Sequence, residues 1–376
     1  MGVAEFSRQN LFFIALDLKV PLYERGNQCY NQIGNPLGGI RYMKKILMLG
    51  TGGTIACKRS DKGLKPLLTT DEILSYVPEA SEFCQADSLQ ILNIDSTNMQ
   101  PSHWLTMAKA IETHYEEYDG FVICHGTDTM AYTASALSYL VQDSEKPIVI
   151  TGAQRPIDME NTDARTNLSD SLRFASENKA HGVTIAFDGK VIAGTRGKKE
   201  RTKSYNAFSS INFPYIAAIQ DGHVLFYVDD KASSPRQVQF FQKLNPHVAL
   251  MKLIPSMGSD VLDFMAEHYD AVIIESFGVG GLPSYDSGDF YKAVKKWITL
   301  GKTVVMATQV TNEGSDMSVY EVGHSIKKEL GLLEAYDMTL EATVTKLMWI
   351  LGQTNDEKEI RELFYRTVNR DILWQA

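Results

Sequence analysis

The sequence has few cysteines and no pattern among them. Cys29, Cys57, Cys84 and Cys124 are the four in 376 residues, irregularly spaced and without a Cys-x-x-Cys pair. Disulfide frameworks belong to small oxidised domains, so these read as reduced thiols in a cytoplasmic protein. Long apolar runs are missing: none approaches the ~20 residues that cross a bilayer, and no membrane partner is expected. Positive charge is not in excess. Lys and Arg number 37 against 46 Asp and Glu, a net charge of −9, which argues against nucleic acid as a partner. No His-Glu-x-x-His or other ligand spacing occurs, so no metal and no cofactor are implied. There is no internal repeat and no low-complexity tract.

What is there begins at Lys45. Ile46-Leu47-Met48-Leu49 reads as a short buried strand, and it runs into Gly50-Thr51-Gly52-Gly53-Thr54. The glycines permit a sharp turn with exposed backbone N–H groups. The turn is neither a Gly-Lys-Ser phosphate loop nor a complete Gly-x-Gly-x-x-Gly. It puts a hydroxyl, Thr54, at the carboxyl end of a strand, where open α/β sheets bind ligands. Alone, such a turn is as readily a plain connection or a nucleotide cradle. A second strand, Phe121-Val122-Ile123-Cys124, runs into His125-Gly126-Thr127-Asp128-Thr129-Met130. Two strand ends carrying threonine hydroxyls and a carboxylate can then face one cleft. His125 beside them reads as structural rather than as a base.

The length predicts two domains. Strands at 89–94, 121–124, 146–151 and 183–187 alternate with helices over 101–118, 129–142 and 163–178. Pro101 suits a first helical turn, and Thr70 is a candidate cap for a short helix. This alternation implies a doubly wound, mainly parallel sheet over 43–228. The polar stretch Asp229–Arg236 opens a linker, 229–247. A smaller α/β domain follows over 248–376. It has strands at 248–254, 271–275 and 303–307, and helices at 259–268, 287–299, 319–330, 338–350 and 356–367. The polar loop Ser60–Pro66 is a candidate lid over Thr54. Residues 1–42 lack a basic region and a cleavage site for export. They read as a leader or a misassigned start, with Met43 the expected native beginning.

Thr51-Gly52-Gly53-Thr54-Ile55 and His125-Gly126-Thr127-Asp128-Thr129-Met130, at this separation, resemble the paired signatures of the bacterial-type asparaginase/glutaminase family. Asn93–Pro101, Ile150–Pro156, and Asp337–Ala342 with Lys346-Leu347 fit the same pattern. The resemblance runs from about Met43 to the C-terminus and looks closest to the cytoplasmic type I asparaginases. It implies two α/β domains, a homodimer or dimer of dimers, and hydrolysis of L-asparagine to L-aspartate and ammonia. It implies that Thr54 is the nucleophile, passing through a covalent acyl-enzyme. Thr127, Asp128 and Lys199 form a second group; Lys199 is placed by counting back from Asn206-Ala207-Phe208, with Lys198 and Lys203 as competitors. Taken alone, that basic run reads as a solvated loop. Asp95, Ser96 and Thr97 match the substrate clamp, with Thr127 and Asp128 sharing in binding; by itself Asp-Ser-Thr-Asn is only a good turn. Glu275–Gly281 is the segment expected to reach a neighbouring subunit's site.

Two departures stand out. The lid tyrosine of many relatives is Leu64 here, so the proton acceptor for Thr54 is not identified; Tyr320 resembles a tyrosine near the site in some of them. Val310 occupies the position of a cysteine linked to allosteric control in some type I enzymes, so allostery is not carried over. Three rivals remain: a glutaminase-asparaginase, an amidase subunit of a transfer-RNA amidotransferase, and a non-catalytic metabolite-binding module. The last predicts no dependence on the Thr54 or Thr127 hydroxyls.

Overall fold

Every side chain of Ile46-Leu47-Met48-Leu49 is buried, because both faces of the strand are covered. Ile46 and Met48 face Val122, Val149, Leu168 and Leu172, the last two from the helix Ala164–Ala175. Leu47 and Leu49 face Phe121, Ile123, Met107 and Leu137, under the helices Pro101–His114 and Met130–Leu140. Each such side chain contributes roughly 1.5–3 kcal/mol on burial. The computed structural model describes residues 43–60, 63–229, 237–283 and 289–374. Those from Met43 on form one unit. The expected leader at 1–42, most of the linker's opening stretch (230–236) and the tip of the lid loop (61–62) lie outside the described residues.

Among the described residues the larger sheet has eight strands. From one edge they are Cys84–Ile94, Lys44–Gly52, Gly120–Cys124, Pro147–Thr151 and Gly182–Phe187, all parallel. Lys190–Ala193, Ala217–Gln220 and His223–Phe226 complete it antiparallel. After Lys44–Gly52 the chain adds Cys84–Ile94 on one side, then crosses to add Gly120–Cys124 on the other. The strand order reverses between the strands that end at Gly52 and at Cys124. That reversal opens the crevice where ligands bind in such sheets.

The smaller sheet, Val248–Lys252, Ala271–Ser276, Thr303–Thr308 and Leu333–Glu334, is parallel and in chain order. The helices Asp260–His268 and Asp289–Thr299 cover one face through Leu262, Phe290 and Trp297. Leu340–Gln353 covers the other through Leu347 and Ile350. This helix packs on Met130–Leu140 of the larger domain, where Tyr139 stacks on Trp349 with ring centroids 5.9 Å apart. The chain is thus a larger, mainly parallel α/β domain followed by a smaller one.

Local differences from the expectations have physical causes. The opening strand does not stop at the glycines but runs through Gly52, with an irregular register between Gly50 and Gly52. The cap of the short helix Thr70–Leu74 is Thr69, in a reciprocal capping box with Glu72; Thr70 is buried and its hydroxyl donates to Gln90 Oε1 at 2.7 Å. The lid loop is a hairpin, Cys57–Ser60 with Gly63–Pro66, and Leu64 lies on its second strand.

Gly53 has φ 78° and ψ −179°, a region essentially reserved for glycine. A Cβ on it would sit 2.4 Å from the Gly126 nitrogen and 2.5 Å from its Cα. The two strand ends therefore touch backbone to backbone. Gly53→Ala is expected to lower stability by at least about 1–3 kcal/mol, from strained dihedrals alone. Thermal unfolding against wild type checks this; an unchanged midpoint would refute the close approach.

Candidate active site

Three turns meet at the crevice. The first is Gly53-Thr54, where Gly53 caps a single turn Thr54–Ala56 and Thr54 is its first residue, half-buried. The second is Asp95–Asn98, after the strand Cys84–Ile94; Gly53 N donates to Ile94 O at 3.0 Å. The third is His125–Thr129. A Cβ on Gly126 would fall 2.5 Å from Ser96 Oγ and 3.3 Å from Gly53 Cα. Thr129 Oγ1 donates to Ser96 O at 2.8 Å, tying the second turn to the third.

Thr127 is buried. Lys199 Nζ donates to its hydroxyl at 2.7 Å and to Asp128 Oδ1 at 2.6 Å. Thr127 then passes its own proton toward Gln154 Oε1, 3.4 Å away. Lys199 is 15% exposed and Asp128 57%, so the ion pair lends little stability; its consequence is geometric. Lys198, the neighbour in sequence, points the other way and donates to Thr311 Oγ1 at 3.2 Å, beside a cavity lined by Glu275, Thr308 and Val310. Lys203 is exposed. Of the three lysines weighed, Lys199 is the one at Thr127. The ribbon Gly197–Lys199 with Phe208–Ser210 sets this, with Lys199 opposite Phe208.

Ser96 is buried between the turns. Asp95 and Thr97 are exposed and bonded to each other: Asp95 Oδ1 accepts from Thr97 N and Thr97 Oγ1, both at 3.0 Å. That is the turn-forming role the residues have on their own. Tyr320 is exposed, as is Val310. In Glu275–Gly281, Glu275 and Ser276 are buried and Phe277 is exposed.

Two residues were not singled out by the sequence. Gln154, in Ile150–Pro156, accepts from Thr127 and donates from Nε2 to Ser204 O at 3.1 Å. Its backbone N donates to Asp163, so a polar residue just past the next strand end was the available signal. Cys57 ends the turn Thr54–Ala56, its thiol donating to Gly53 O at 3.4 Å. Burial first, then the nearby Asp95 charge, pushes the thiol up to about 11, so Cys57 stays protonated. Among the described residues no group of three or more His, Cys, Asp or Glu is placed to hold a metal ion. None of their helices is long and apolar enough to cross a membrane.

His125 is fully buried, and burial lowers its pKa to about 4. Its tautomer follows from its partners. Trp104 Nε1 can only donate and gives to Thr133 Oγ1 at 2.9 Å. The Gly126 carbonyl can only accept, so His125 Nδ1 carries the proton and donates to it at 2.6 Å. Nε2 of the neutral ring is left to accept from Thr133 Oγ1 at 2.9 Å. The neutral ring braces the backbone just ahead of Thr127. With a folded pKa depressed from 6.5 to about 4, the unfolded chain binds the proton more readily. The stabilisation is complete above about pH 6.5 and is lost as pH falls toward 4, amounting to about 3 kcal/mol. Denaturant titrations between these pH values are expected to show that loss in wild type and a flatter profile in His125→Gln. Parallel profiles would refute it.

Comparison with known proteins bears on the same segments. The asparaginase N-terminal family model matches residues 45–232, and the glutaminase/asparaginase C-terminal domain model matches residues 247–364. The L-asparaginase of Thermococcus kodakarensis is 40% identical over 329 residues, covering 87% of this chain and 99% of that protein. A glutamyl-tRNA(Gln) amidotransferase subunit of Pyrococcus furiosus is 36% identical over 333 residues, covering 85% of this chain and 74% of that protein. A solved structure of the thermostable L-asparaginase from Thermococcus kodakarensis superposes with a TM-score of 0.82 at 39% identity, covering 88% of this chain and all of that one.

Proposed function

Because the chain belongs to the asparaginase/glutaminase family of amidohydrolases, we propose that it hydrolyses L-asparagine to L-aspartate and ammonia. The observation that carries this is the Lys199 ammonium bonded at once to the Thr127 hydroxyl and the Asp128 carboxylate, in a turn whose backbone touches that of Gly53, the residue before Thr54. An amide is a poor electrophile, and its hydrolysis needs a nucleophile, a proton route and donors for the oxyanion. Thr54 attacks the side-chain amide carbon, ammonia leaves with a proton, and water releases aspartate from the acyl-threonine. Lys199 stabilises negative charge on Thr127 and so favours its acting on a proton or a water. The Asp128 carboxylate, with Asp95, takes the substrate's α-ammonium; Ser96, with Thr97 at its edge, takes the α-carboxylate. No cofactor enters the scheme.

The transfer-RNA amidotransferase is the second reading, favoured by the 36% identity to its Pyrococcus furiosus component. Identity is higher to the asparaginase, 40% against 36%, which supports the asparaginase. Glutamine as an alternative substrate is a matter of one methylene, about 1–3 kcal/mol of discrimination. The protein acts as a homodimer or dimer of dimers, with Glu275–Gly281 reaching toward a neighbouring site. It works in the cytoplasm, a reading supported by the free thiols of Cys57, Cys84 and Cys124.

Ammonia release from L-asparagine and L-glutamine tests the proposal. Thr54→Ala and Thr127→Ala are each expected to lower kcat by about 1,000-fold or more, since an activated nucleophile and its partner act as a unit. Wild-type protein inert on both amides, or variants that keep its rate, would overturn it.

A further inference from the structure

Lys199 stands on a support that lies outside the two paired threonine signatures and includes Arg196, a residue in none of the matching segments. The ribbon Gly197–Lys199 with Phe208–Ser210 is a separate two-stranded sheet outside the large one. Its placement against the Thr127 turn depends on its two ends. At the tip, Gln154 holds it through Ser204 O. At the base stands Arg196, three residues before Lys199 and fully buried.

The Arg196 guanidinium is used on three sides. Nη2 donates to Asp337 Oδ2 at 2.7 Å, Nη1 to Asp337 O at 2.7 Å, and Nε to Arg370 O at 2.6 Å. Its backbone closes the ribbon: Ile211 N donates to Arg196 O at 2.8 Å. Asp337 in turn accepts from Leu373 N and Trp374 N. The preceding residue repeats the attachment: Thr195 Oγ1 donates to Asn369 O at 2.6 Å, and Thr339 Oγ1 to Thr195 O at 2.9 Å. The accepting carbonyls of Asn369 and Arg370 belong to a tight C-terminal turn in which both residues are left-handed. That turn is pinned by Asp371, which is paired with fully buried Lys346 at 2.7 Å and accepts from Tyr139 at 2.9 Å.

We infer that Arg196 and Asp337 are positioning residues for Lys199: the C-terminal turn and the smaller domain hold the ribbon through this fork. The inference rests on the reading of Lys199 as part of the catalytic group. A planar guanidinium reaching three acceptors fixes direction as well as distance, which a lysine cannot do. A buried pair needs no such geometry merely to be stable, since uncharged replacements of both partners are often tolerated. The fork orients the ribbon, and with it the ammonium that must meet both Thr127 and Asp128.

The test is steady-state hydrolysis of L-asparagine by Arg196→Met/Asp337→Asn, Arg196→Lys and Lys199→Met, with thermal unfolding of each. The double variant removes both charges while asparagine still accepts from the tail N–H groups. Arg196→Lys keeps the charge without the fork, and it decides the matter if the double variant does not fold. The expected result is folded protein with kcat reduced about 10- to 100-fold and KM changed less than about threefold, the mark of a displaced catalytic group. Folded variants with wild-type kcat, while Lys199→Met is inactive, would overturn the positioning role alone. Wild-type kcat in Lys199→Met would overturn the functional reading beneath it.

Discussion

One ammonium group with two acceptors organises the site. Lys199 bonds Thr127 and Asp128, which belong to a strand end of the large sheet, while the lysine belongs to a ribbon outside that sheet. Neither side chain holds the other by strength, since Asp128 is largely exposed and such pairs contribute little. The contact exists because the backbones that carry it are fixed independently. Much of the smaller domain and the last residues of the chain act as that fixture.

The strand end is fixed by a different device, the exclusion of side chains. Gly53 and Gly126 approach so closely that neither has room for a Cβ, and Ser96 closes the third side. The neutral His125 ring braces the same turn from beneath through a one-directional chain of hydrogen bonds from Trp104. Strained backbone costs stability, and the well-packed sheet on either side offsets that cost. The Thr127 hydroxyl is thereby held at the point where the strand order reverses, bonded to Lys199 and Gln154.

Much of this is legible in the chain. Continuous apolar runs such as Ile46–Leu49 and Phe121–Cys124 mark strands covered on both faces, and their polar ends mark the crevice. The strand Cys84–Ile94 is only half visible because it is an edge strand, and edges carry polar residues such as Gln85, Asp87 and Ser88 that break the apolar signal. Thr70 looks like a cap, but Thr69-x-x-Glu72 is the capping-box spacing, and that spacing decides the helix start. Arg196 is hidden by its neighbours. In a run with Lys198, Lys199, Arg201 and Lys203 it reads as solvated, yet it is fully buried; only the packing of the distant Asp337 and Arg370 reveals it. Gln154 is marked only by its place just past the strand that ends at Thr151, which does not name Thr127 as its partner.

We propose that Thr54, set by backbone contact beside the Thr127–Lys199–Asp128 group, carries the acyl group. The direct measurement is peptide mass spectrometry of Lys199→Met protein, acid-quenched during exposure to L-asparagine. The peptide containing Thr54 is expected to gain the mass of asparagine less ammonia, with Thr127 unmodified. The same gain on the Thr127 peptide, or ammonia release with neither peptide modified, would contradict it.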